Sequence, residues 1–306
     1  MAEATTDGQY PNMIPDLIPS LPGEVALNCL HRLPVHTLPV LSQVSRAWSS
    51  VATKIGAFFE SRHRLGYSTH YICLLLNHNS YPHHLSASRS GTKSPPCYGI
   101  GLYDCREHRI LAPDPRHDPL CLPLLPGLDA PGLPLFCRCV SLGHRLIVLG
   151  GWHPITWAAL PTVFLFDFAT GLWLRGTDMP SPVRSLFAAE ALGDGRRIVM
   201  AGGHDTSKNA LSSAHLYDAD SDTWCPLPDM TSARDECKLV VISGYSHLEQ
   251  GRFCTSCETY DPQAEKWGMV ANDMWIEGGR NPSSAMVLNG ELHALIDRKL
   301  MKLTGS

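Results

Sequence analysis

The side chains of this chain best suited to chemistry are thiols, imidazoles and guanidiniums, and their spacing decides what they can do. Cys254-x-x-Cys257 and Cys137-x-Cys139 have the spacing of half a metal site. Neither is followed by the second Cys or His pair that a closed tetrahedral zinc site requires. The adjacent His83-His84 falls in a His-, Ser- and Pro-rich segment from 78 to 96 and reads as solvated. The other histidines fall mainly at turns and strand faces without ligand spacing, so no catalytic residue, no metal and no cofactor is expected. Arg184 and Arg234 are candidates of another kind. Each follows a Met, Met179 and Met230, in successive repeats, where two guanidiniums present forked donors to acidic groups of a partner.

The elements that position these groups recur. Gly150-Gly151 is followed by Phe166-Asp167 and Trp173, Gly202-Gly203 by Tyr217-Asp218 and Trp224, and Ser243-Gly244 by Tyr260-Asp261 and Trp267. A unit of roughly 40–50 residues with this content is the mark of a β-propeller blade of four short strands. The runs 146–149 and 197–201 read as fully buried strands, and 162–166 and 213–217 as the strands after them. The Gly pairs fit points where blades crowd and a Cβ would collide. Each Asp suits a turn it closes through its own backbone, and each Trp serves as a large interblade wedge.

Length and charge narrow the class. The chain has 306 residues, a formal net charge of -4 and eleven cysteines. That charge gives no footprint for nucleic acid. The first residues are polar and acidic, without the pattern of a signal peptide, and no apolar run reaches membrane-spanning length, so neither membrane nor export is expected. The cysteines are then expected as reduced thiols, and the protein in cytoplasm and nucleus. Residues 1–16 read as a disordered N-terminus, 17–65 as a helical domain and 66–303 as the repeat domain.

Within 17–65 the apolar spacing predicts three short helices: Val25, Leu27, Cys29 and Leu30; then Leu38, Leu41, Val44 and Trp48; then Ile55, Phe58 and Phe59. Leu33-Pro34 separates the first from the second. Helices this few and short leave apolar surface for a partner to cover; the plainer alternative is a helical cap on the propeller.

Leu21-Pro22-x-Glu24-Val25, Leu30-x-x-Leu33-Pro34-Val35, Leu38 and Val44-Ser45-Arg46-x-Trp48 resemble the F-box, with Ser45 where many members carry Cys. The repeats resemble kelch repeats. Gly132-Leu133-Pro134-Leu135-Phe136-Cys137-Arg138, Ala201-Gly202-Gly203-His204-Asp205, Arg234-Asp235-Glu236-Cys237 and Gly244-Tyr245-Ser246 resemble one plant group of F-box/kelch proteins, which includes the KISS ME DEADLY proteins. The resemblance implies a small all-α F-box followed by an all-β kelch propeller. It implies docking of a Skp-type adaptor, and through it a cullin scaffold, by a substrate receptor of an SCF ubiquitin ligase, with no catalysis of its own. Within the plant group it further implies phenylalanine ammonia-lyase or type-B response regulators of cytokinin signalling as proteins marked for proteasomal degradation. The expected adaptor contacts are Leu21, Pro22, Leu33, Pro34, Leu38, Val44 and Trp48.

About five blades are expected, one of them short: Met179 to Gly202 spans 23 positions, but Met230 to Ser243 only 13. Residues 236–242 must then serve as one inner strand where other blades have two. A hairpin turning at Asn289-Gly290 and a third strand at 299–303 end the pattern. The last blade thus lacks an outer strand, and 71–76 is the expected closing strand. Expected target contacts lie on blade loops, which carry recognition on a rigid scaffold: Trp152, His153 and Trp157, then His204, Asp205 and Lys208, then Tyr245, with Arg184 and Arg234 beside them. Two other classes compete with the receptor: a kelch scaffold that binds without degrading, and a kelch-fold enzyme, which lacks converging ligands or acid–base pairs here.

Overall fold

Ser45 divides what the apolar spacing reads as one helix. In the computed structural model its backbone is extended, at φ -160° and ψ 164°. Its Oγ accepts from the Trp48 N–H at 3.1 Å, and its carbonyl from Ser49 at 2.9 Å. A serine in this role starts a new helix. The domain therefore holds four helices where three were expected: α1 (Gly23–His31), α2 (Leu38–Val44), α3 (Arg46–Thr53) and α4 (Ile55–Arg64). The structure describes residues 17–33, 37–53, 55–68, 71–77, 98–105, 109–111, 125–130 and 132–233. Beyond these it describes 264 and the strands between 241 and 302.

Two compact units emerge. One contains the described residues of 17–76, 100–111 and 167–172; the other holds the rest. In the first, Leu17, Ala26, Leu30, Leu38, Leu41 and Phe58 make the core. Arg62, 2% exposed, turns its guanidinium onto the carbonyls of His31 and Leu33, at 2.5 and 2.7 Å, and of Tyr67 at 3.0 Å. Helix ends leave such carbonyls without intrahelical partners, so one cation satisfies the end of α1 and ties α4 to it.

Among the described residues the strands form five sheets. The first is β1 (Tyr71–Asn77), β2 (Tyr98–Asp104) and β3 (Arg109–Leu111), in that order. The second contains β4 (Arg138–Leu142), β5 (Arg145–Leu149), β6 (Val163–Asp167) and β7 (Leu172–Gly176), and the third β8 (Ala188–Ala191), β9 (Arg197–Ala201), β10 (Ala214–Asp218) and β11 (Thr223–Leu227). Among the described residues the fourth has three strands, β12 (Val241–Ile242), β13 (Cys257–Asp261) and β14 (Lys266–Ala271). The short repeat is thus met by two described residues of inner strand; 234–240 lie outside the described residues. The fifth is β15 (Ser284–Leu288), β16 (Glu291–Ile296) and β17 (Lys299–Lys302), with Leu288 opposite Glu291 as a two-residue turn demands.

Tyr71–Asn77 pairs with β2, a strand of equal length, and among the described residues the β15–β17 sheet has three strands. The long segment between β1 and β2 does not prevent them from joining.

Within the second unit, the repeat residues act as their types require. Gly150, Gly151, Gly202 and Gly203 all have positive φ, from 55° to 93°, which glycine alone adopts at no steric cost. A Cβ on Gly151 would lie 2.6 Å from the Leu135 carbonyl, and one on Gly203 2.6 Å from that of Ser185. The crowding at the second glycine therefore comes from its own sheet; at Gly150 it includes Met179 and Phe187 of the next repeat. Asp218 caps its turn by accepting from Asp220 and Ser221 at 3.0 and 3.2 Å.

Each Trp stands opposite the aromatic of its repeat, with ring centroids 5.1 Å apart for Phe166–Trp173, 4.8 Å for Tyr217–Trp224 and 5.3 Å for Tyr260–Trp267. The indoles of Trp224 and Trp267 also donate to carbonyls of the preceding repeat, Thr177 at 3.0 Å and Pro228 at 2.8 Å. Asp222 completes this joint, accepting from the Tyr217 hydroxyl at 2.6 Å and from the N–H and hydroxyl of Thr177 at 2.8 and 3.0 Å. Burial first, and then the Asp222 bond, raises the Tyr217 phenol above its usual range, so it stays a donor. Replacing Asp222 by Ala strands that buried donor and is expected to cost about 2–4 kcal/mol in urea unfolding. Asp222→Asn, tolerated at this residue's φ of 52°, is expected to recover about half.

Candidate functional site: two docking surfaces

The helices sort the expected adaptor contacts into two groups. Leu21, Pro22 and Val44 are exposed. Leu38 is buried in the core, and Leu33 and Trp48 pack against it. The Trp48 indole also donates to the Leu17 carbonyl. Leu38 is therefore spent on the core of the helical unit, while Trp48 is half-buried at its edge. Pro34 lies outside the described residues.

Val40, Val25 and Cys29 are exposed although the expected contact set omits them. Val40 stands one turn from Val44, which the set contains, on α2, each 55% exposed, and Val25 and Cys29 stand one turn apart on α1. The signal was available: once Leu38 and Leu41 face inward, helical periodicity sends Val40 and Val44 outward. Beneath this face, His31 is 3% exposed with its ring 4.7 Å from Phe58. Burial, and then the charges of Arg62 and Arg64, hold its pKa below the ordinary histidine value.

In the second unit the blade loops repeat one frame. Trp152 bridges Leu135 and Ala159 as His204 bridges Ser185 and Ala210. After each bridge the chain makes a tight loop. His153 N–H donates to the Ala158 carbonyl at 2.9 Å, and Asp205 N–H to that of Asn209 at 3.0 Å. The side chain at the loop's start holds it. His153 Nδ1 accepts from Ile155 and Thr156 at 3.2 Å each, while Asp205 accepts from Ser207, Asn209 and the Asn209 amide at 2.8–3.0 Å. The Asn209 amide is the main reason the Asp205 carboxyl lies below the usual range. His153 and Asp205 are thus loop braces, His204 is buried in the frame, and Trp157 and Lys208 are exposed loop tips.

Arg184 requires a correction. It is fully buried, and its guanidinium donates to the carbonyls of Gly202 and Ser213 at 3.2 and 3.1 Å and to the Ser213 hydroxyl at 2.9 Å. These carbonyls sit where the Gly pair interrupts the ladder, so the cation is consumed inside the sheet and offers no fork to a partner. Arg234 and Tyr245 lie outside the described residues. Of the Cys254–Cys257 pair only Cys257 is described, and Cys137 and Cys139 hydrogen-bond each other, which raises the first thiol and lowers the second. Among the described residues, no three His, Cys, Asp or Glu converge as a metal would need. No described helix is long and apolar enough to cross a membrane.

A helical unit with an apolar outer face, and sheets whose loops brace exposed side chains, are features of protein-interaction modules. The F-box domain family matches residues 18–58, and the Kelch motif family matches 135–180 and 187–231. Similar curated proteins are F-box/kelch-repeat protein At1g80440 of Arabidopsis thaliana, 37% identical over 91% of this chain and 76% of the relative, and At1g15670, 37% identical over 94% and 79%. F-box/kelch-repeat protein SKIP20 of the same plant is 31% identical over 84% and 67%. The chain belongs to the F-box/kelch-repeat proteins.

Arg184→Lys, which keeps the charge but loses the fork, is expected to cost about 1–3 kcal/mol in unfolding, since bonds to charged groups are worth more than neutral ones. Because the fold lowers the His31 pKa, the unfolded chain takes up a proton that the fold resists. This stability is whole above the ordinary value of about 6.5 and declines as pH falls below it. Helical circular dichroism on heating is expected to show a lower midpoint at pH 5.5 than at 7.5, and His31→Phe is expected to flatten that difference.

Proposed function

We propose that this chain is the substrate-recognition subunit of an SCF-type ubiquitin ligase. Its helical unit docks a Skp-type adaptor, through which a cullin scaffold is reached, and its kelch repeats hold a protein target for ubiquitination and proteasomal degradation. The observation that carries the reading is the outer face of α1 and α2. Val40 and Val44, one turn apart on α2, and Val25 on α1 stay exposed although Leu30, Leu38, Leu41 and Phe58 already form a core, and exposed apolar side chains of this kind mark a surface that a partner covers. The exposed Leu21, Pro22 and Val44 belong to that contact; Leu33, Leu38 and Trp48 act by shaping it. Target residues lie among the braced kelch loops, so the chain works by holding proteins, in cytoplasm and nucleus, and not by catalysis. The proposed targets are phenylalanine ammonia-lyase or type-B response regulators, on the resemblance of the sequence to its plant group alone.

Val40→Asp/Val44→Asp tests the docking face, because a few buried anchors carry most of the energy of such an interface, about 2 kcal/mol or more each. Pull-down with a purified Skp-type adaptor is expected to fall at least 30-fold while helical circular dichroism is kept. Trp48→Ala is expected to fail differently, losing helical signal together with binding. A folded double variant that retains parental binding sinks the assignment of this face. Failure of the parent chain to hold the adaptor sinks the ligase reading.

A further inference from the structure

We infer that the loop tips over the β4–β7 and β8–β11 sheets receive an acidic protein segment that carries an aromatic or branched aliphatic anchor. The inference rests on the reading of the kelch repeats as a target-holding surface and names the chemistry of what is held.

Three apolar side chains stand out from the second unit in one place: Phe136 is 59% exposed, and Ile155 and Trp157 are each 56% exposed. Trp152 joins them, its ring centroid 5.3 Å from Phe136 and 6.2 Å from Trp157. The Trp152 indole is pinned by the Ser185 hydroxyl of the next repeat. The shelf is therefore fixed from behind while its front is open. Its backbone is also costly. Phe136 and Trp157 both have φ of 57°, a region that bulky side chains rarely occupy and that is held where the surroundings over-determine it. The equivalent Leu186 and Lys208 of the next repeat share it, at 53° and 64°, so the loop frame sets the backbone and the side chain placed on it is what differs between repeats.

Charge supplies the second half of the argument. Residues 132–233 contain seven Arg and Lys. Arg145, Arg175, Arg196 and Arg197 are each paired with an Asp, and Arg138 and Arg184 donate to backbone carbonyls. Lys208 is the remaining cation. It is exposed, has φ of 64°, and makes no ion pair among the described residues. Its N–H bonds the Asp205 carbonyl at 3.0 Å just as that of Trp157 bonds the His153 carbonyl at 2.9 Å, so the ammonium occupies in one repeat the tip that the indole occupies in the preceding one. The nearby Asp205 carboxylate is already taken up by three donors of its own loop. An aromatic shelf on one repeat and an exposed ammonium at the equivalent loop tip of the next complement an apolar side chain and carboxylates carried by one segment; a basic segment would meet Lys208 head-on.

The test pans a displayed library of random 12-residue peptides against the purified full-length chain. Selected peptides are then synthesised with a fluorescent label and titrated by anisotropy. Enriched sequences are expected to place Asp or Glu within a few residues of Trp, Phe, Leu or Ile. Lys208→Glu is expected to weaken them at least 10-fold, and added salt to weaken the parent but not that variant. Trp157→Gly and Phe136→Gly remove the shelf at positions where glycine relieves the backbone, so each is expected to lose binding at least 10-fold with a thermal midpoint equal to or above the parent's. No enrichment, enrichment of neutral or basic peptides, or acidic peptides that bind Trp157→Gly and Lys208→Glu as well as the parent overturns the inference. Adaptor pull-down with the same variants is expected to be unchanged. A parent that holds the adaptor yet selects no such peptide sinks this inference and leaves the ligase reading standing.

Discussion

The approach of Gly151 to the Leu135 carbonyl, and of Gly203 to that of Ser185, constrains everything built above these sheets. At 2.6 Å from a notional Cβ, no side chain fits, so the chain leaving β5 or β9 lies directly against the chain entering β4 or β8. That closeness lets Trp152 exchange two 2.8 Å hydrogen bonds with Leu135, and His204 two of 3.0 Å with Ser185. Both strand ends and the loop after them thereby become one rigid frame. The recognition side chains follow from this: Phe136 is displayed on one limb of the frame, and Trp152, Ile155 and Trp157 on the other.

Neighbouring repeats are joined by a different device, and its polarity matters. The hydroxyl of the buried Tyr217, the half-buried Asp222 carboxylate and the exposed Thr177 form a hydrogen-bonded joint, and the Trp224 indole adds a fourth bond to the same Thr177 segment. An apolar joint of equal area would permit neighbouring sheets to slide. Directional bonds fix their angle.

Much of this was legible in the residues. The Gly pair, aromatic–Asp and Trp at constant spacing gave four strands of the β4–β11 sheets to within a residue, because buried period, turn and wedge each leave a local signature. The Asn289-Gly290 hairpin was legible for the same reason. Tertiary competition was not. The Val44–Trp48 stretch has continuous helical spacing, yet Ser45 breaks it by capping the next helix, a choice that depends on Trp48 turning to the Leu17 carbonyl. Arg184 has the spacing of a surface receptor, and only the Gly202 and Ser213 carbonyls beside the Gly pair reveal why it is drawn inside. Leu38 and Val44 look alike in the F-box pattern, but one is core and the other exposed.

The contrast between Arg184 and Lys208 shows why the distinction is physical. A guanidinium can donate in several directions in one plane, so a sheet with open carbonyls around a left-handed Gly pair stabilises it internally. An ammonium on a flexible stem, held at a left-handed loop tip, has no such set of acceptors and stays hydrated. The repeat therefore separates its cations by geometry: the planar one closes the backbone, and the point charge remains for whatever approaches. The same separation operates on the helices, where side chains facing Leu30 and Phe58 are spent on cohesion and only those a half-turn away, Val40 and Val44, remain to be covered. In both units the docking surface is what remains after the fold has satisfied itself, and a motif that mixes both kinds of residue cannot assign their roles until that satisfaction is traced bond by bond.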